Sequence, residues 1–254
     1  MFFNLNLLSF SCIFCIFFSI CMTGQHNDTL MKTTLPNTST VYNVKKIVQN
    51  GIKISGKGES TVWQLANPLS NLSYKWNDGT PPKTVFKALW SDTHFYFLFV
   101  VDDGEIITDQ TGVDENSKVG LSDRVELFFK NDADLKKPYY CLEMDSDARI
   151  LTFRSRFYRK YDYEWKWPGT DPLTVKSSLT DTGYIVEGSI SMEALKTLQL
   201  INNDIIEAGI FRAEYIKTKN GPEPKWISWI PPQSTAPDFH IPSAFGALKL
   251  LRGH

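Results

Sequence analysis

From Val44 onward, apolar and polar positions mostly repeat with a period of two, the spacing that sends successive side chains to opposite faces of a strand. Thr84-Val-Phe-Lys-Ala-Leu-Trp90 runs through Ser91-Asp-Thr93 into His94-Phe-Tyr-Phe-Leu-Phe-Val-Val101. This predicts a hairpin whose second strand is buried on both faces. Val125, Leu127 and Phe129 alternate with Glu126, which places the carboxylate on the face away from those three. Residues 139–144 and 149–153 flank Asp145-Ser-Asp147, and residues 173–179 and 184–190 flank the turn Asp181-Thr-Gly183. Residues 205–214, 225–230 and 247–251 complete the strands. One helix is expected over residues 192–198, with Met, Ala and Leu at helical spacing behind Ser191 as N-cap. Many short strands with at most one short helix predict an all-β fold, an antiparallel, jelly-roll-like β-sandwich.

The pattern changes at the front of the chain. Residues 1–25 carry no charged side chain, and residues 7–21 have the length of a signal-peptide hydrophobic region rather than of a membrane span. Residues 1–24 are therefore expected to be a signal peptide or a membrane or lipid anchor, cut after Gly24 in the first case. Export is the corresponding expectation, to the outside, the periplasm or the outer cell surface, with this segment as a peripheral tether if it is retained. Residues 25–43, rich in Thr, Asn and Ser, are expected to be a flexible leader, and residues 44–254 the folded domain. Three of the four cysteines, Cys12, Cys15 and Cys21, lie in the hydrophobic segment. Cleavage leaves Cys141 without an intramolecular partner.

Charge narrows the function classes. Lys and Arg number 27 against 28 Asp and Glu, a net charge of -1. That balance speaks against nucleic acid as a partner, because phosphate binding needs a basic excess. The four histidines show no metal-ligand spacing, and the chain has no Gly-x-Ser-x-Gly elbow and no glycine-rich phosphate loop. No enzyme class is favoured and no cofactor is required. Aromatic residues reach 13%, and flat rings both fill β cores and stack on sugar rings. Tyr161, Tyr163, Trp165 and Trp167 alternate in a predicted loop, so all four can share one face. Trp165 and Trp167 are then a candidate sugar platform, the alternative being a strand extension packed on the sandwich edge. Asp102, Asp103 and Asp109 head an acidic stretch whose hard oxygen donors suit a structural Ca²⁺, although the spacing is no EF-hand.

Several segments in order resemble carbohydrate-binding module family 9, including its diverged relatives. They are Trp63, Thr84 to Trp90, Phe95-Tyr-Phe-Leu-Phe-Val-Val-Asp102, Asp123-Arg-Val-Glu-Leu-Phe-Phe129, Gly183-Tyr-Ile-Val-Glu187, Ile227-Ser-Trp229 and Phe239-His-Ile-Pro-Ser-Ala-Phe-Gly-Ala-Leu248. Together they span roughly residues 45–252. The resemblance implies a β-sandwich that binds carbohydrate without chemistry, serving a separate glycoside hydrolase. By position it implies that Glu126 accepts sugar hydroxyls and that Phe239 stands for one of two sandwiching tryptophans. The other tryptophan falls at Gly120, so the two-Trp clamp is absent. Glu143, Asp145 and Arg212 fall at further sugar contacts; they form either a carboxylate–guanidinium sugar site or an internal network that closes it. Some similar sandwiches hold haem, for which Met144 and His240 are the candidate axial ligands.

Overall fold

The computed structural model of the protein describes residues 39–48 and 51–252. The expected signal or anchor segment, and the leader up to residue 38, lie outside the described residues. Among the described residues no helix is long and apolar enough to cross a membrane. The strands are β1 (Val41–Lys46), β2 (Ser73–Tyr74), β3 (Thr84–Trp90), β4 (His94–Asp102), β5 (Arg124–Lys130), β6 (Tyr139–Asp145), β7 (Ile150–Arg156) and β8 (Lys160–Asp162). They continue with β9 (Leu173–Thr180), β10 (Gly183–Ser191), β11 (Ile205–Thr218), β12 (Gly221–Ser228) and β13 (Gly246–Leu251). Two short helices, α1 (Glu115–Gly120) and α2 (Met192–Thr197), interrupt them.

Hydrogen bonding runs without a break in the order β8-β7-β6-β5-β11-β13-β1-β3-β4-β10-β9, with β12 on β11 and β2 on β12. The long strand β11 joins the two layers. Its residues 205–208 pair with β13, residues 207–213 with β5, and residues 211–218 with β12. The strands β2, β12, β11, β5, β6, β7 and β8 form the layer that carries the site. Between this layer and the other lies the main core, where Phe86, Phe97, Phe99 and Tyr184 meet Val125, Leu127, Leu142, Met144, Ile210 and Trp229. Alternation decides which residues enter it: on β5 the inward set is Val125, Leu127 and Phe129, as expected.

The all-β sandwich is as the pattern predicts, with three corrections. The strands are not all antiparallel: β1 runs parallel to both β13 and β3. Alternation in a sequence is the same in either direction and so cannot show this. The leader also ends earlier than expected, because residues 41–43 already belong to β1. Tyr42 is buried, and its hydroxyl accepts a bond from the Ala88 N–H at 3.0 Å. Finally, α1 is a second helix. Asp114 caps it by accepting from the Ser117 N–H at 2.7 Å. With Val119 as its buried apolar residue, it shows no helical period in the sequence. The expected helix α2 forms, with the Ser191 hydroxyl accepting from the Ala194 N–H at 3.1 Å.

Each layer is also covered on its outer side. Outside β4 and β10, Ile52, Ile54 and Trp63 pack on Tyr96 and Leu98. Glu187 pins this segment by accepting from the Ser55 and Gly56 N–H groups at 2.8 and 2.7 Å and from the Trp63 indole at 2.8 Å. Gly56 is required there: its φ is +82°, and a Cβ would lie 2.8 Å from Ser177 backbone. Outside the site layer, a second apolar cluster holds Phe128, Cys141, Phe153, Phe211, Phe239 and Ala244. The site lies at the margin of this cluster.

Candidate functional site

The outer face of the site layer is set by strand register. One row across it reads Trp226, Ala213, Arg124, Asp145, and the next reads Ser228, Phe211, Glu126, Glu143, Leu151. Two charged residues spaced by two on β5, beside two more on β6, thus form a cluster on a single face. Ala213 is small, which leaves room between Trp226 and Arg124. The Arg124 Nε–H donates to Glu143 Oε2 at 2.6 Å, and its terminal nitrogen donates to the Gly120 carbonyl at 3.0 Å. Its guanidinium carbon sits 5.5 Å from the Trp226 ring centroid.

Glu126 is held differently. Its Oε1 lies 2.9 Å from Arg124 Nε, but the single N–H there is directed to Glu143. The oxygen is buried and has no hydrogen-bond partner among the described residues. Burial, and next the Glu143 carboxylate, raise the Glu126 pKa above the ordinary carboxylate range, against the pull of Arg124. Burial works against the Arg124 cation, but Glu143 and then Glu126 outweigh it and hold its pKa above the ordinary value.

These groups form the floor of a pocket of about 230 Å³, walled by Trp226, Phe239, His240, Tyr161 and the Arg159–Asp238 pair. The pocket is below the ~300–1,000 Å³ of clefts for drug-sized ligands and holds about eight water volumes, the scale of one sugar ring. His240 is largely enclosed, with the Tyr139 hydroxyl 2.9 Å from its Nδ1. Burial depresses its pKa to about 4, so the ring is neutral near pH 7.

Glu126, Phe239 and Glu143 therefore meet at one place, as expected, but other expected residues do not. Phe239 is 5% exposed and stacks on Phe211 with centroids 4.0 Å apart, so it braces the wall and offers little open ring. Asp145 shares the face, yet its carboxylate is engaged by the Arg149 Nε at 2.6 Å and by the turn N–H groups of Asp147 and Arg149. Arg212 does not face Glu143 at all. It pairs with Val125 in register and so points into the sandwich, where it donates to Asp103 at 2.9 Å, Thr84 at 3.2 Å and the Asp102 carbonyl at 3.1 Å.

The four alternating aromatics split. Tyr161 and Tyr163 pack on Phe153 at the site face, whereas Trp165 and Trp167 pack on Tyr140 over the open edge of the main core. The strand β8 ends at Asp162, so alternation no longer governs the residues after it. The expected calcium donors Asp102, Asp103 and Asp109 each have a different partner. Asp103 pairs with Arg212, Asp109 accepts from Thr111 and Gly112, Asp102 faces Thr182, and no three acids converge among the described residues. Met144 lies in the main core and His240 outside the layer, so the sheet itself separates the two expected haem ligands.

The family model for the carbohydrate family 9 binding domain-like domain matches residues 54–252. The chain belongs to this family. Among solved structures, it is similar to a protein from Bacteroides uniformis described as carbohydrate-binding, with a TM-score of 0.62 and 17% identity over 83% of this chain and 99% of that one. It is also similar to a family 9 carbohydrate-binding module from Caldicellulosiruptor kristjanssonii in complex with glucose, with a TM-score of 0.55 and 16% identity over 84% of this chain and 97% of that one. A family 9 module from the same organism in complex with cellotriose matches with a TM-score of 0.50 and 19% identity over 83% and 93%. No curated protein matches the chain. At these identities the solved structures share its fold.

Within this family 9 domain, Gly120, the position without a ring, borders open space: an added Cβ would meet nothing within 4 Å. The ring that borders the pocket is instead that of Trp226, a strand residue that the motifs above do not single out. A signal was present, since Ile227 and Trp229 alternate inward and so place Trp226 outward. Arg124 stands inside the motif that marked Glu126, and the same parity assigns it to the same face.

Proposed function

We propose that this family 9 domain binds a neutral sugar unit of a glycan in the Arg124–Glu126–Glu143 pocket, without chemistry. The observation that carries this reading is Glu126 Oε1, a buried acceptor beside a pocket with no donor bonded to it. That oxygen is ion-paired with Arg124 at 2.9 Å but receives no hydrogen bond, and a sugar hydroxyl donating to it would supply the missing bond, a gain of roughly 1–3 kcal/mol. Trp226 supplies a partly buried ring that borders the pocket, and Tyr161 a second. Two carboxylates against one buried guanidinium favour hydroxyl donors over uronic acids. Glycoside hydrolysis needs acids flanking the scissile bond, whereas Glu126 and Glu143 share one guanidinium on one wall. Support of a separate hydrolase outside the cell, with residues 1–24 directing export or tethering the domain, extends the same reading.

Calorimetric titration with glucose, cellotriose and other uncharged oligosaccharides tests it. Saturable binding is expected, weakened about tenfold or more in Glu126→Gln while the melting temperature holds. Titrations that stay flat with every sugar, or a Glu126→Gln protein with unchanged affinity, would discard the reading. A second reading rests on exposures of only 1% to 6% at Glu126, Glu143 and Arg124. In it, the network closes a former sugar site and the domain contacts another protein; flat titrations together with a co-purifying partner select it.

A further inference from the structure

The pocket does not end at its wall. Arg159, Pro237 and Asp238 also line a second, wider hollow of about 850 Å³ that continues past Tyr158, Lys75 and Gln233. The ridge between the two hollows is a fixed structure. Asp238 accepts from the Tyr158 hydroxyl at 2.7 Å and from the His240 N–H at 2.8 Å, and it pairs with Arg159 at 3.2 Å. The far wall, the loop through residues 233–238, is held by the Trp76 indole donating to the Ser234 carbonyl at 3.1 Å and by the Gln233 N–H donating to the Ser243 hydroxyl at 2.9 Å.

Tyr158 is the unusual member. Half of it is exposed, at 50%, yet it is held at its hydroxyl and over its ring. The hydroxyl is anchored on Asp238, and the Arg159 guanidinium lies 5.1 Å from the ring centroid. A surface tyrosine ordinarily loses rotamer freedom when a ligand stacks on it; one already fixed does not, which is what makes a ring an effective platform. Around it, Lys75, Gln233, Ser234 and Thr235 line the hollow with polar side chains. The one carboxylate here, Asp238, is already engaged three times, so the groove adds no free acid.

We propose that the two hollows form one continuous groove for an oligosaccharide, with a single sugar unit in the inner pocket and the following units running over the Asp238 ridge onto Tyr158. This inference rests on the proposed sugar reading and adds a second subsite to it. The glycan is thus recognised as a chain, and the ring of Tyr158 sets the preference for length.

The test compares matched monomers and trimers: glucose with cellotriose, xylose with xylotriose and mannose with mannotriose. Each is titrated by calorimetry into the parent protein, Tyr158→Ala and Tyr158→Phe, with melting temperatures measured alongside. For the sugar that binds, the trimer should bind the parent about tenfold tighter than the monomer. Tyr158→Ala should remove most of that advantage and leave the monomer affinity within about twofold. Tyr158→Phe, which keeps the ring and loses its anchor, should fall between. Equal affinity for monomer and trimer in the parent overturns the second subsite and leaves the inner pocket standing. An equal loss for both in Tyr158→Ala does the same, because the trimer then keeps its advantage without the ring. Absence of binding by all six sugars overturns the subsite and the sugar reading together.

Discussion

Arg124 and Arg212 are both buried, both paired with carboxylates, and nearly adjacent: Arg212 is in register with Val125, the residue after Arg124. One step of register sends them to opposite faces of the same layer. Inside, Arg212 reaches Asp103, Thr84 and backbone carbonyls among core side chains, and its Nε is left without a partner where no described pocket reaches it. Outside, Arg124 satisfies Glu143 and the Gly120 carbonyl but leaves Glu126 Oε1 without a donor beside a pocket. The difference teaches that burial and charge do not mark a site by themselves. What marks it is an acceptor left over where a ligand has room.

The largest expected effect breaks the inner cluster. Arg212→Met leaves Asp103 buried without its cation and should cost about 3–5 kcal/mol in denaturant unfolding. A loss below about 1 kcal/mol would mean that the cluster is wet or readily rearranged. Sugar affinity of the folded fraction should not change, which separates the two arginines.

Next comes the enclosed imidazole on the outer side. The folded pKa of His240 is lowered to about 4, chiefly by burial; Asp238 opposes this, and Arg159 and Arg124 add to it. The fold therefore favours the neutral ring. Its contribution is fully present above pH ~6.5 and disappears as pH falls towards 4, roughly 3 kcal/mol in all. Unfolding free energies of the parent and His240→Asn at pH 7 and pH 4 should show a smaller acid-induced loss in the variant. Equal losses would place the imidazole in water.

Smaller effects sharpen the outer site. Trp226→Ala should weaken sugar binding by about 0.5–1.5 kcal/mol, because its partly buried ring borders the pocket. Trp165→Ala should leave sugar affinity within ~0.5 kcal/mol, since its contacts lie with Tyr140 and Trp167 over the core edge. A reversal of these two results would return the binding platform to the Trp165–Trp167 loop, one of the two alternatives that the sequence leaves open.

That reversal of roles shows how the sequence can be read and where it stops. The pattern Asp123-Arg-Val-Glu126 located the floor of the pocket, because a period of two on a strand needs no knowledge of neighbours. The same rule, applied to β11, would have placed Arg212 inward with Ile206, Ala208 and Ile210. The expectation that it faces Glu143 came from likeness of position and overrode that alternation. Trp165 and Trp167 misled for a different reason: alternation carries information only while the strand lasts, and β8 ends before them.

By itself the sequence determined the longer strands from β3 onward, their inward faces, the helix behind Ser191 and the family, because all of these follow from local periodicity, capping and the order of motifs. Only the tertiary structure decided which strands run parallel, that Phe239 is occupied by Phe211, and that Trp226, Tyr161 and Asp238 converge on Glu126 from three separate segments. Those outcomes depend on cross-strand register and on how the loop of residues 232–241 folds back over the sheet. Both are set by contacts between residues far apart in the chain, and a local pattern carries no record of them.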